Sequence, residues 1–378
     1  MMKIIHRIVL SAGLVFGLSL SVAGWAADRV LQSEAGPVRV TEVAHGLDTP
    51  WALAFLPDGR LLVTERPGRM RLVARDGSLS APIAGVPPVH ARGQGGLLDV
   101  ALSPDFGTDR TIVFSFAEPT AGGARTAVAR ARLDLERLRL EDVKVIFAQN
   151  EDPSGSHHWG SRLVFDRAGN LFVTLGDRFH SRDRVQALDS HIGKVVRIRS
   201  DGSVPADNPF VKREGARPEV WSYGHRNVQG AALHPVTGEL WAHEHGPQGG
   251  DELNRVLPGR NYGWPDITYG REYVIGTKIG EGTTRPDVEP PVTQWTPSIA
   301  PSGMSFYTGD VFPQWKGNLF VGALKFQLIA RLVLDGDRVV HEERIELGHR
   351  VRDVHEGPDG RLWLLDESGG RVLRIDPA

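Results

Sequence analysis

Apolar and polar positions alternate over short stretches of this chain, and one phrase recurs: an apolar run, a turn rich in Pro, Asp or Gly, then an alternating apolar strand. It appears first as Leu53-Ala54-Phe55-Leu56-Pro57-Asp58-Gly59-Arg60-Leu61-Leu62-Val63. Val100 to Phe116 repeats it around Ser103-Pro104-Asp105, and Leu163 to Val173 around Gly169-Asn170. Further copies run from Ala231 to Ala242, from Met304 to Val321 and from Val354 to Leu364. Pro and Gly interrupt a strand ladder while the flanks keep a period of two, so each copy predicts two antiparallel strands joined by a turn. Several copies lead into another strand-like run, such as Met70-Arg71-Leu72-Val73 or Lys194-Val195-Val196-Arg197-Ile198. Helical periodicity is scarce. Sheet units at a spacing of roughly 45 to 80 residues point to an all-β chain, a six-bladed β-propeller of four-stranded antiparallel blades. A β-sandwich or a two-domain chain would use similar strands, but no linker or change of composition divides the sequence. Val38–Val43 is expected to pair beside Val372–Ile375 and close the ring.

Familiar blades need about 40 to 50 residues each. The surplus lies in Gly/Pro/His-rich segments at 86–96, 150–162, 176–192, 201–230 and 243–301, and loops on one face of a rigid ring are where a site is built.

The first 26 residues read as a cleavable secretory signal: Lys3, His6 and Arg7, then an apolar run from Ile8 to Ala23, then Gly24-Trp25-Ala26. That run is shorter than the roughly 20 apolar residues a membrane span needs. The remaining 27–378 would be one propeller domain, periplasmic and not membrane-spanning. Its 42 basic and 46 acidic residues give a net charge of −4, which argues against nucleic acid as a partner. The absence of cysteine excludes disulfides, thiolate nucleophiles, iron–sulfur clusters and covalently attached c-type haem.

Four clusters in the surplus loops carry chemical capacity. His157-His158 precedes a strand and Gly176-Asp177-Arg178 ends the next, so an imidazole and a carboxylate can meet at one face of a blade. A carboxylate on one ring nitrogen fixes the tautomer and leaves the other as a base. His225-Arg226-Asn227 offers donors suited to a carbonyl or carboxylate oxygen. His243 to Glu252 combines alternating His with a Gly-Pro stretch and two carboxylates. Alternating His suits a transition metal, and an oxygen-rich loop suits Ca²⁺. Lys325, Arg350 and Arg352 could form a cationic patch, the two arginines sharing one side of a strand. Ordinary surface, packing or turn roles remain open for each cluster taken alone.

Six segments in order, GQGGLLDVALSPDF, HWGSRLVFD with TLGD, SYGHRNVQG, EHGPQGGDELN with NYGWP, WTPSIAPSG and RVRDV, resemble the soluble quinoprotein aldose sugar dehydrogenases of the glucose/sorbosone dehydrogenase family. The resemblance covers roughly residues 37–376 and implies pyrroloquinoline quinone (PQQ) and Ca²⁺ as cofactors. By it, His158 matches the general base, Asp177 its orienting carboxylate, and Arg226 and Asn227 the contacts to the quinone oxygens. Gly246 and Pro247 match the carbonyls that hold the PQQ-bound Ca²⁺, and Glu252 with the Tyr262 carbonyl resembles a second calcium site. Gln94, Ser298, Lys325, Arg350 and Arg352 match cofactor-binding positions. His157 stands where the well-known glucose dehydrogenase has an acidic residue, Ser298 where it has Thr, and several of its long loops are shorter here. A broader aldose range and a monomer are therefore expected.

The resemblance implies oxidation of an aldose at C1 to the lactone, with electrons leaving to a separate acceptor, a quinone or a cytochrome. A calcium-dependent sugar lactonase and a non-catalytic carbohydrate-binding propeller are the rival readings. The first gives the cationic trio no purpose, and the second leaves His158 and Asp177 without one.

Overall fold

A computed structural model describes residues 29–151 and 154–378. The signal assigned to residues 1–26 lies outside them. The described residues form six antiparallel sheets. Their innermost strands are Pro50–Phe55, Leu97–Leu102, Gly160–Phe165, Val228–Leu233, Pro301–Phe306 and Val351–Glu356, and each touches the next around a closed ring. The expected six-bladed propeller is what the chain adopts.

Four blades have four strands, while the first has three and the last five. In the first blade, Ser80 and Ile83 still donate to the Leu72 and Met70 carbonyls, but Pro82 between them has no N–H to give, so the outer edge breaks up. The sixth blade borrows its outer strands from the start of the described chain. Gly36–Ala44 pairs with Arg371–Pro377, placing Val40 opposite Ile375 and Thr41 opposite Arg374, which is the ring closure expected from the sequence.

The core consists of apolar wedges between blades. Trp51, Leu62, Leu98, Phe114 and Trp159 belong to one of them, and Tyr307, Trp315, Phe320 and Leu364 to another. Among the described residues, no helix is long and apolar enough to cross a membrane.

One irregularity is common to all six blades. The register between the innermost strand and its neighbour shifts near the start of that strand: at Pro50/Ala52, Leu97/Val100, Gly160/Leu163, Val228/Gly230, Pro301/Met304 and Val351/Asp353. A bulge bends a strand and re-aims its side chains. Six of them at equivalent places turn one end of the ring inward.

Candidate active site

That end of the ring holds a cavity of about 360 Å³ to which every blade contributes. Trp51, Leu98, Gly160, Asn227 with Gln229, Ala300, and Arg350 with Arg352 come from the starts of the six innermost strands or the turns just before them. Arg66, Gln94, His245, Leu324 and Glu367 complete much of the wall. Three guanidinium groups thus face one carboxylate. Glu367 accepts from Arg350 Nε at 3.0 Å and from Arg352 Nη2 at 2.7 Å, while Arg352 Nη1 donates to Gln229 Oε1 at 3.1 Å. Burial, together with the neighbouring Arg350 and Arg66 charges, holds the Arg352 guanidinium below its ordinary pKa despite Glu367. This wall is arranged for an anion.

A second cleft of about 320 Å³ contains His158, Asp177, Phe179, Arg226, Trp264 and Tyr273. His158 Nδ1 and Asp177 Oδ1 are 2.6 Å apart. Asp177 also accepts the Phe179 N–H at 2.8 Å and the Trp264 indole N–H at 2.8 Å. Burial raises the carboxyl's pKa, but His158 and Arg226 outweigh it, so the net shift is downward and Asp177 stays ionised. An ionised carboxylate only accepts, so the imidazole proton sits on Nδ1 and the lone pair on Nε2. Burial, reinforced by the Arg226 charge, lowers His158 to about 4. The ring is neutral at ordinary pH, the form that takes up a proton.

The backbone around this pair is unusual. His158, Ser161, Arg178 and Phe179 all have positive φ, which non-glycine residues seldom adopt outside functional sites. Gly176 permits the approach: a Cβ there would lie 2.1 Å from the His158 carbonyl. Gln94 Oε1 accepts the His158 backbone N–H at 2.8 Å, which ties the first cavity to the second.

Arg226 spans both regions. Its Nη1 donates to the His245 and Gly246 carbonyls at 2.9 and 2.7 Å, and its Nη2 to the Tyr273 hydroxyl at 3.2 Å. Asn227 is buried, with Oδ1 accepting from Gly160 N and Gln229 Nε2. Asp251 shapes the Gly-Pro turn, accepting the Gly246 N–H at 2.9 Å. Ser298 donates to the same Asp251 at 2.8 Å, and the neighbour Ala300 lines the cavity instead. Lys325 is exposed, with Nζ 5.3 Å from the Phe326 ring; the adjacent Leu324 is the wall residue. The two arginines of the cationic trio therefore meet, while the lysine stands at their rim.

Glu252 is buried beside Glu244, and burial followed by that charge raises its pKa well above the ordinary carboxylate range. The Tyr262 ring stacks on His225 at 4.5 Å. His243 lies buried against Gly230, away from any ligand cluster; among the described residues no three His, Asp or Glu side chains gather to hold a metal.

The glucose/sorbosone dehydrogenase family model matches residues 47–374. This chain belongs to that family. The aldose sugar dehydrogenase YliI of Escherichia coli is 46% identical over 367 residues, covering 95% of this chain and 96% of that one. A crystal structure of a glucose dehydrogenase, 51% identical, superposes with a TM-score of 0.87 over 90% of this chain and 99% of its own. The PQQ-bound aldose sugar dehydrogenase of Streptomyces coelicolor, 30% identical, gives 0.73 over 89% and 97%.

Sequence reasoning missed several residues of this family member's site. Gln229 and Glu367 organise the arginines, Trp51 and Ala300 wall the axial cavity, and Trp264 and Tyr273 wall the cleft. Trp264 falls inside the NYGWP segment, where a large aromatic side chain in a Gly- and Pro-rich loop was the available signal.

Proposed function

We propose that this chain is a periplasmic PQQ- and Ca²⁺-dependent dehydrogenase that oxidises aldoses at C1 to lactones. The observation that carries the reading is an axial cavity with three guanidinium groups against one carboxylate, tied through Gln94 to a His–Asp pair whose free ring nitrogen holds a lone pair. The residues fit PQQ: its carboxylates suit Arg350 and Arg352, with Lys325 reaching in from the rim, and its polar edge suits Gln94 and Asn227, while Ser298 would support the loop through Asp251. When bound, PQQ supplies the quinone that accepts the hydride. His158 Nε2 takes the proton of the anomeric hydroxyl, Asp177 holds the imidazole in the required tautomer, and Arg226 offers a fixed cation to developing negative charge.

Gly246 and Pro247 would hold the Ca²⁺. Among the described residues the Pro247 carbonyl accepts no hydrogen bond, while that of Gly246 accepts from Arg226. Glu252 and the Tyr262 carbonyl would form a second calcium site, since a buried carboxylate raised so far in pKa gains from a cation. A leader over residues 1–26 exports the 27–378 domain, which works as a monomer and passes electrons to a separate acceptor.

The test is to reconstitute purified protein with PQQ and Ca²⁺ and follow the quinone absorbance as aldoses are added. Bleaching by sugar, lost on chelation and restored by Ca²⁺, is expected. Lactone hydrolysis without PQQ would overturn the reading.

A further inference from the structure

Arg178 is fully buried, yet among the described residues no carboxylate lies within ion-pair distance of its guanidinium. Its donors go to three backbone carbonyls: Gly155 at 2.7 Å, Ala124 at 3.0 Å and His157 at 3.2 Å. The guanidinium carbon sits 3.3 Å from the centre of the Trp159 ring. Trp159 in turn donates from Nε1 to the Ser156 carbonyl at 3.1 Å. Residues 157 and 159, on either side of His158, are therefore both held by one side chain.

We propose that Arg178 is a positioning residue for His158: it holds the His157 carbonyl on one side of the imidazole and the Trp159 ring on the other, and so sets where Nε2 stands. The proposal rests on the reading of His158 as the base. Asp177 and Arg178 then divide the task, the first orienting the ring and the second the segment that carries it. Burying a charge with carbonyls and an indole face but, among the described residues, no carboxylate for partners is costly, and burial brings this arginine down to about 9. An apolar side chain of similar length would fill the space without that cost, so the retained charge points to the carbonyls it gathers.

The experiment compares Arg178→Met, Arg178→Lys and His158→Gln. A displacement of about 1 Å costs roughly a hundredfold in rate, so Arg178→Met should lose about that much kcat. Its KM and PQQ dissociation constant should stay near wild type, and Arg178→Lys should recover part of the rate. In cofactor-free protein, the low-field proton resonance of His158 Nδ1–H, identified by its absence in His158→Gln, should shift or broaden in Arg178→Met. Wild-type kcat and an unmoved resonance in Arg178→Met would overturn the proposal, as would failure of both Arg178 variants to fold, which would make this a core residue. An active His158→Gln would instead sink the base itself, so the two failures are distinguishable.

Discussion

Replacing Asp177 by Asn tests the proposed mechanism at its narrowest point. Three donors surround the carboxylate: His158 Nδ1 at 2.6 Å, Phe179 N at 2.8 Å and Trp264 Nε1 at 2.8 Å. Asparagine offers one oxygen and one amide nitrogen, so it must fail at one side. If its oxygen keeps His158 and Phe179, the amide faces the indole N–H, and an unmet buried donor costs about 1–3 kcal/mol of stability. If it flips, the amide faces His158 Nδ1 and drives the imidazole proton onto Nε2, where the reaction needs a lone pair. Both orientations also remove the charge that supports the protonated ring. Loss of a positioned base costs about 10²–10⁴ in rate, and a wrong tautomer alone about 10⁴ in a catalytic triad. Asp177→Asn should therefore lose 10² or more of kcat by these figures, with PQQ affinity unchanged because Asp177 does not line the axial cavity. Dye-linked turnover at saturating PQQ and Ca²⁺ measures the first, and titration of the apo-protein the second. A folded, PQQ-binding Asp177→Asn with wild-type kcat would refute the assignment.

Three further outcomes are expected. Gly176→Ala forces a Cβ against the His158 carbonyl, so turnover should fall and stability drop by about 1–3 kcal/mol, read from kcat and a denaturant midpoint. His158 is lowered to about 4 from an ordinary 6.5, so the unfolded chain binds more protons between those values and stability is lost as pH falls through that window. The loss is about 3–4 kcal/mol at most, and the pH dependence of the unfolding free energy should flatten by about that amount in His158→Gln. Arg352→Ala or Arg350→Ala should weaken PQQ binding by about 1.5–3 kcal/mol, and Lys325→Ala by less because the lysine is solvated; equal losses in isothermal titration would show that the rim matters as much as the wall.

The fold was legible because its signal is local and repeated. Turns rich in Pro, Asp or Gly between alternating strands specify hairpins wherever they occur, and six of them with no linker leave few architectures. The closing strand was legible for the same reason, since Val38–Val43 alternates like its partner. The broken edge of the first blade was not, because it depends on Pro82 falling opposite Met70 and Leu72, a matter of register across strands. At the site, the meeting of His158 with Asp177 followed from one strand's entry and the next strand's exit. Gln229 was invisible because its contact with Arg352 appears only when the ring brings blades four and six together, and Glu367 because it depends on the pairing of Val351 with Asp366 inside blade six. Ser298 shows the converse: its hydroxyl is spent on Asp251, which no spacing along the chain reveals.

The axial arrangement also explains how a ring of apolar wedges tolerates so much charge at its centre. Below the cavity, Arg162 lies between Asp99 Oδ1 at 3.1 Å and Asp353 Oδ1 at 3.0 Å, and its Nε donates to the Gln229 carbonyl at 3.2 Å. These groups come from the innermost strands of four different blades, and Asp99 and Asp353 further accept the backbone N–H groups of Leu163 and Leu53. Two carboxylates against one guanidinium leave an excess of negative charge there, and burial foremost raises Asp99 to about 6. Above, three guanidinium groups face only Glu367, so the sign is reversed within one short axis. The lower cluster ties the blades by hydrogen bonds and ion pairs between acidic and basic groups, whereas the upper one sets three guanidinium groups against a single carboxylate. An anion entering from the upper end is attracted by the unspent positive charge, and a cation is repelled by it. The bulge of each innermost strand falls at the end that meets the cavity, so the propeller's repeated irregularity sits where the sign of the charge changes.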